Sequence, residues 1–114
     1  MALYRKLNRE TRVRRSILSS LTKDVLENGH VETTEERAKE VRKFVDKMIT
    51  YAKKVDLGSR RRVLAFLNND ADLTKKLFEE YAVTYKDRNG GYTRIIKLKE
   101  RVGDDALIVR LELV

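Results

Sequence analysis

Residues 33–52 read TTEERAKEVRKFVDKMITYA, and this stretch gives the firmest indication of secondary structure in the chain. Its small and apolar residues recur every three or four positions, which places them on one face of an α-helix. They are Ala38, Val41, Val45, Met48, Ile49 and Ala52. Thr33 and Glu36 have the spacing of a capping box at the start of this helix. Glu35 and Lys39, four residues apart, form a favourable pair on its solvent side.

Similar patterns on either side predict three more helices and a short strand. Apolar residues at helical spacing predict a helix from about Val13 to Leu26, which Asn28-Gly29 ends with a left-handed residue. The following HVET, residues 30–33, is a possible short strand. A third helix is expected to open at Gly58-Ser59 with Ser59 as its cap. Asp70 or Asp72 then caps a fourth helix, after the break NNDAD.

Beyond Asn89-Gly90-Gly91 the pattern changes from helical to β. The stretches YTRIIKL, residues 92–98, and ALIVRLELV, residues 106–114, flank a charged connection and are typical of an antiparallel hairpin. In the second of these strands apolar residues alternate with Arg110 and Glu112, as in a sheet with one buried face. The expected fold is therefore α+β: a helix, a short strand, three helices and a C-terminal β-hairpin, with the helices on one face of a small sheet.

The composition limits the possible classes of protein. A chain of 114 residues suffices for one domain, which we assign to residues 13–114 after a basic N-terminal arm, residues 1–12. No cysteine is present, so disulfides, thiol catalysis and thiolate zinc sites are excluded. The N-terminal sequence has no apolar signal region, and no apolar run approaches the ~20 residues of a membrane span. We expect a soluble intracellular protein.

The net charge of +8 is concentrated in three patches. Residues 1–15 carry a net +5, residues 58–69 a net +3 and residues 86–101 a net +4, whereas the remaining segments are neutral or acidic. A solubilising surface would spread its charge, but contacts with phosphate groups need it clustered. The pattern favours nucleic acid as the partner, ahead of an acidic protein or a membrane surface.

Two of the patches have an alternative explanation as ordinary solvated surface. In residues 1–15 arginines outnumber lysine five to one, which favours an arm that orders on nucleic acid over a loose solubilising tail. Arg60, Arg61 and Arg62 are expected in the first turn of a helix, where the helix dipole disfavours cations. A neighbouring phosphate would explain their position, although a solvated face is also consistent with it.

Catalytic and metal sites find no support in the sequence. Asp70 with Asp72, and Asp104 with Asp105, stand at cap and turn positions that favour Asp for its own hydrogen bonds. His30 is the only histidine and has no partner residue for catalysis or metal binding. The Gly-Gly pair matches neither a Walker loop nor a dinucleotide fingerprint. The third and fourth helices could imitate a helix-turn-helix, but the acidic fourth helix is a poor reader of a DNA groove.

Five stretches stand in the order seen in one known family. They are RKLNR (5–9), VETTEERAKEVR (31–42), RRRVLAFL (60–67), KLFEEYA (76–82) and DRNGGYTRI (87–95). With them the chain resembles the L-seventeen family of bacterial large-subunit ribosomal proteins over essentially its whole length. It departs from the usual family pattern at Asn8, where glycine is common, and at Gly58-Ser59, where a His-Ala pair is common.

The resemblance implies a small α+β protein that binds large-subunit ribosomal RNA in the cytoplasm. It implies a place on the solvent side of the subunit near the polypeptide exit region, beside other ribosomal proteins that include the L-thirty-two family. We expect no membrane, small-molecule substrate, cofactor or metal. We expect a structural constituent that braces folded RNA through phosphate contacts, without catalysis. A DNA-binding nucleoid or transcription-associated protein and a protein–protein adaptor are the alternatives.

The residues expected to contact RNA come from the three basic patches. The family motif is matched at Arg5, Lys6, Arg9, Arg60, Arg61, Arg88, Asn89, Tyr92 and Arg94, whose RNA contacts we infer from charge and context. Four further residues are expected to contact RNA because of their charge alone: Arg12, Arg14, Arg15 and Lys86. Because phosphate contacts carry no sequence information, specificity should come from RNA shape, with one base stacked on Tyr92 or on an arginine plane.

Overall fold

The structure, a computed structural model, describes residues 11–54, 56–100, 103 and 106–114. The helices are α1 (Thr11–Asn28), α2 (Glu35–Lys54), α3 (Leu57–Phe66), α4 (Ala71–Lys76) and α5 (Ala82–Thr84), with a π-helical turn (Leu77–Tyr81) joining the last two. The strands are β1 (His30–Thr34), β2 (Thr93–Glu100) and β3 (Leu107–Leu113). The helical path from α4 through the π-helical turn to α5 is the predicted fourth helix, and the predicted α+β fold is confirmed.

The three strands form an antiparallel sheet in the order β1-β3-β2. The predicted hairpin is present as β2 and β3, and the possible strand at residues 30–33 is the edge strand β1. Val109 and Leu111 of β3 are buried beneath α2, whereas Arg110 and Glu112 point to the other face of the sheet. The sheet therefore has one face covered by helices and one face open.

The core forms around α2, as the apolar spacing predicted. All six residues of its predicted apolar stripe are buried, and Glu35 binds Lys39 at 2.8 Å on the exposed side. The predicted capping box at Thr33 is wrong, because Thr33 lies in β1 opposite Val109 and α2 begins at Glu35. The chain passes from strand to helix with no intervening loop, so the residue that resembled a cap is part of the sheet ladder.

The ends of the other helices agree with the sequence except at α3. Gly29 ends α1 with φ +86°, and Asp70 caps α4 by accepting a hydrogen bond from the Leu73 N–H at 3.0 Å. The cap of α3 is Asp56, which accepts from the Ser59 N–H at 2.6 Å, and not Ser59 as predicted. The helix thus starts at Leu57, and its arginines occupy the second turn.

Helix α1 overlaps the end of the predicted N-terminal arm, residues 1–12. Helix α1 begins at Thr11, so Arg12, Arg14 and Arg15 lie on a helix and not on an extended arm. Residues 1–10 lie outside the described part. Among the described residues, no helix is both long enough and apolar enough to cross a membrane, and no cluster of side chains could hold a metal ion.

Candidate nucleic-acid interface

Two of the three basic patches meet at the last turn of α2. On one side of this turn, Lys53 Nζ donates a hydrogen bond to the carbonyl oxygen of Arg88 in the loop before β2. On the other side, Lys54 Nζ and Arg62 Cζ both lie 5.8 Å from the centre of the Tyr51 ring. We call the resulting surface the basic corner; it consists of Lys53, Lys54, Arg60, Arg61, Arg62, Lys86 and Arg88.

The loop of the basic corner is held by Tyr92, which lies beneath it. The Tyr92 side chain is only 1% exposed, and its hydroxyl is within 3.1 Å of both Lys53 Nζ and the Arg88 carbonyl. The Tyr92 and Tyr85 rings pack in an edge-to-face arrangement with 5.2 Å between their centres. With its ring enclosed, Tyr92 has no open face for a base, so we assign it a positioning role and leave it out of the proposed RNA contacts.

Two glycines let the loop turn sharply above Tyr92. Gly90 and Gly91 have φ values of +95° and +64°, in the region where side chains other than glycine are strained. The Arg88 guanidinium donates to the Gly91 carbonyl at 3.4 Å across this turn. The loop thereby leaves Lys86, Arg88 and Asn89 exposed on the outside while Tyr92 faces inward.

Burial and the cations of the basic corner shift the pKa values of nearby tyrosine and aspartate side chains. Burial alone would raise the pKa of the Tyr92 phenol, but its bonds with Lys53, Thr50 and the Gly90 backbone, together with the Lys53 charge, lower it overall. The pKa of Asp56 is lowered chiefly by the Ser59 N–H and further by the charges of Arg62 and Lys54. Asp46, beside the Tyr92 backbone, has its pKa raised by burial.

The cap at Asp56 changes one expectation for α3. The sequence suggests a phosphate beside the arginines of this helix, and free backbone amides at a helix start can bind phosphate. In the structure the Asp56 carboxylate occupies that place, since it accepts from Ser59 N–H, and a phosphate would meet a like charge there. The α3 side chains, and not the helix start, are therefore the groups available to an anion.

The arginines of α1, which belong to the basic patch of residues 1–15, lie next to the basic corner along α3. Arg14 and Arg15 of α1 line a groove of about 440 Å³ with Phe44, Ala65 and Phe66. The rings of Phe44 and Phe66 stack at 5.1 Å between centres and 18° between planes. Phe66 is one helical turn, about 6 Å, beyond Arg62 on the same side of α3. Helix α3 thus connects the basic corner to the arginines of α1.

Arg94 is separate from this surface. It lies opposite Glu112 on the open face of the sheet and forms an ion pair with it at 3.2 Å. Arg110 Nε lies 3.8 Å from the other oxygen of the same carboxylate. Of the predicted site residues, then, the structure brings together those of α1, α3 and the loop, buries Tyr92 and places Arg94 elsewhere. Arg5, Lys6 and Arg9 lie outside the described residues.

Three residues of the basic corner were not among the predicted RNA contacts. Arg62 was counted in its patch but left out of the contact residues, and Lys53 and Lys54 were not noticed. Both lysines fall in a segment, residues 16–57, whose charges sum to zero. A signal was available: two lysines in the last turn of a predicted helix, directly before a cluster of arginines.

Comparison with known proteins gives the same family along the whole chain. The family described as "Ribosomal protein L17" matches residues 17–114. The chain is 53% identical to the large ribosomal subunit protein bL17 of Clostridium botulinum (strain Loch Maree / Type A3) over 100% of both chains. It is 52% identical to the large ribosomal subunit protein bL17 of Limosilactobacillus reuteri (strain DSM 20016), over 97% of this chain and 98% of that protein.

These matches confirm the resemblance that the sequence motifs indicated. Proteins of this family are structural components of bacterial ribosomes and not enzymes, which confirms the predicted lack of catalysis and the predicted location on cytoplasmic ribosomes. The chain belongs to the ribosomal protein L17 family.

Proposed function

We propose that the protein braces large-subunit ribosomal RNA through phosphate contacts from the basic corner and from the arginines of α1. Arg12, Arg14 and Arg15 of α1 supply one end of this surface, and the loop residues Lys86, Arg88 and Asn89 supply the other. Arg5, Lys6 and Arg9 extend it in the proposed arm, residues 1–12, which precedes a single domain. Contacts of this kind position the protein on folded RNA by shape.

One observation carries the proposal: among the described residues, no cation of the basic corner has a carboxylate within ion-pair distance. Several cations elsewhere do form ion pairs, as Lys39 does with Glu35 and Arg94 with Glu112. Cations on a fixed surface that form no ion pair keep their N–H donors available for an external anion. Each phosphate that they neutralise releases counterions from the RNA, which favours binding.

Neighbouring large-subunit proteins are the second class of partner that we propose, and a member of the L-thirty-two family is among them. This part of the proposal rests on the family resemblance. The open face of the sheet, with its network of Arg94, Glu112 and Arg110, is outside the proposed RNA surface and available for such a neighbour.

The RNA proposal is tested by titrating the purified protein with large-subunit ribosomal RNA at several salt concentrations. The variant Lys54→Gln/Arg61→Gln/Lys86→Gln removes three charges from the basic corner. A control, Lys39→Gln/Lys75→Gln/Lys97→Gln, removes three exposed charges elsewhere. Each lost phosphate contact should reduce the slope of log affinity against log salt by about 0.7–0.9, so the slope of the first variant should be smaller by about 2.1–2.7.

The control variant should keep nearly the whole slope of the wild type. Equal losses in the two variants would show that only net charge matters, which contradicts the proposed surface. Equal affinity of the wild type for random duplex DNA at matched salt would favour a DNA-binding protein instead.

A further inference from the structure

We propose that α3 and its neighbouring rings form two stacking positions for unpaired nucleotides of the RNA. This inference rests on the proposed function and adds the class of nucleotide recognised. One unstacked base stacks on the guanidinium plane of Arg60 and another on that of Arg62. Phosphate groups on the same strand are neutralised by Arg61 and Lys54.

The first observation is that these two arginines contact aromatic rings and, among the described residues, have no carboxylate within ion-pair distance. Arg60 Cζ lies 5.4 Å from the centre of the Phe78 ring, and Arg62 Cζ lies 5.8 Å from that of Tyr51. A carboxylate partner would orient a guanidinium but also neutralise it and occupy its N–H donors. A ring orients the cation and leaves its charge and its donors available.

The second observation is that the two rings are fixed in place. Phe78 and Tyr51 are both half-buried and pack against the hydrophobic core. Phe78 belongs to the π-helical turn, Leu77–Tyr81, directly after the fully buried Leu77. Wide turns of this kind inside α-helices are frequent at functional sites. The arginines therefore rest on surfaces that do not need to be ordered when RNA binds, which lowers the entropic cost of binding.

The third observation is an exposed apolar side chain between the two arginines. Leu57 is 64% exposed at the first position of α3. At about 100° per residue, Leu57 and Arg61 fall between Arg60 and Arg62 around the helix. Arg60 points toward the π-helical turn and Arg62 toward α2, so the stacking positions lie on opposite flanks of α3.

These features together favour unpaired nucleotides over a plain duplex. A duplex offers mainly its phosphate backbone to a protein surface, and a phosphate engages the N–H donors of a guanidinium and not its flat face. Exposed leucine and guanidinium planes match the flat faces of bases, which RNA presents in bulges and loops. A ring or a guanidinium stacked on a base strengthens binding with little preference for sequence.

The test compares two RNA stem-loops that differ only in three unpaired nucleotides inserted as a bulge. The variant Arg60→Lys/Arg62→Lys keeps both charges but loses both planes, at exposed positions where the fold should tolerate the change. The matched control, Arg94→Lys/Arg110→Lys, makes the same change on the open face of the sheet. Binding affinities for both RNAs are measured for each protein at one salt concentration.

The wild type and the control should prefer the bulged RNA by about tenfold, and the Arg60→Lys/Arg62→Lys variant should lose that preference while binding the paired RNA as before. A variant that keeps the tenfold preference, or a wild type without one, would overturn the stacking positions but leave the RNA proposal standing. Failure of the wild type to bind either RNA would overturn both.

Discussion

At the scale of single residues, Tyr92 shows how burial decides between two roles. Its position between basic residues suggested a ring for stacking bases, but the structure encloses the ring and uses its hydroxyl to hold the loop. Sequence alone cannot make this distinction, because tyrosine suits both roles. The difference depends on Lys53, which is 39 residues away in the chain and reaches the same hydroxyl.

The positioning role of Tyr92 leads to a prediction about stability. Tyr92→Phe removes the hydroxyl that Lys53 and the Arg88 carbonyl share, and leaves the Arg88 carbonyl with one fewer partner. We expect the free energy of unfolding to fall by about 1 kcal/mol in a denaturant titration, the usual contribution of such a hydrogen bond.

The control for this variant is Tyr51→Phe, in which the ring remains and a hydroxyl outside this loop network is lost. Tyr51→Phe should change the free energy of unfolding much less. If the two variants behave alike, Tyr92 does not hold the loop.

At the scale of helices and strands, local patterns were predictable where the residue types carry the signal themselves. Residue type and spacing correctly predicted the apolar stripe of α2, the glycine after α1 and the alternation in β3. The cap of α3 was missed because Asp56, Gly58 and Ser59 are all plausible there. Only the backbone path shows that Asp56 accepts from Ser59. Likewise, no spacing signal shows that β1 runs directly into α2.

The cap of α4 gives a prediction about pH. The pKa of Asp70 is lowered from its ordinary value of 3.8, chiefly by the Leu73 N–H and further by Lys23. A lowered folded-state pKa means that the carboxylate stabilises the fold above the unfolded pKa and loses this effect as the pH falls through the folded pKa. The contribution of its charge should therefore be complete at pH 7 and disappear below pH 3.8.

The variant Asp70→Asn isolates this charge, since asparagine also caps helices well. Thermal unfolding should show a lower midpoint than the wild type at pH 7, with the difference shrinking as the pH is lowered past 3.8. Asp24→Asn, at an exposed position of α1, serves as the control for replacing one surface carboxylate by an amide. A constant difference across the pH range would contradict the assignment to charge.

At the scale of the whole molecule, the location of charge was easier to predict than its arrangement. The three patches were visible in the sequence because arginine and lysine cluster there. The sequence did not show that these patches meet along α2 and α3, because their meeting depends on helix packing between residues far apart in the chain. The neutral total of residues 16–57 even concealed Lys53 and Lys54, which join two patches. Arg94, in contrast, belongs to a patch in sequence but to another face in space.

The central claim, that the basic corner faces ribosomal RNA, is tested most directly by ultraviolet crosslinking of intact large subunits and identification of the crosslinked peptides. The structure predicts nucleotides attached to residues 51–62 and 86–91, and none attached to β3 on the open face of the sheet. Crosslinks confined to the sheet, with the basic corner unmodified, would contradict the account.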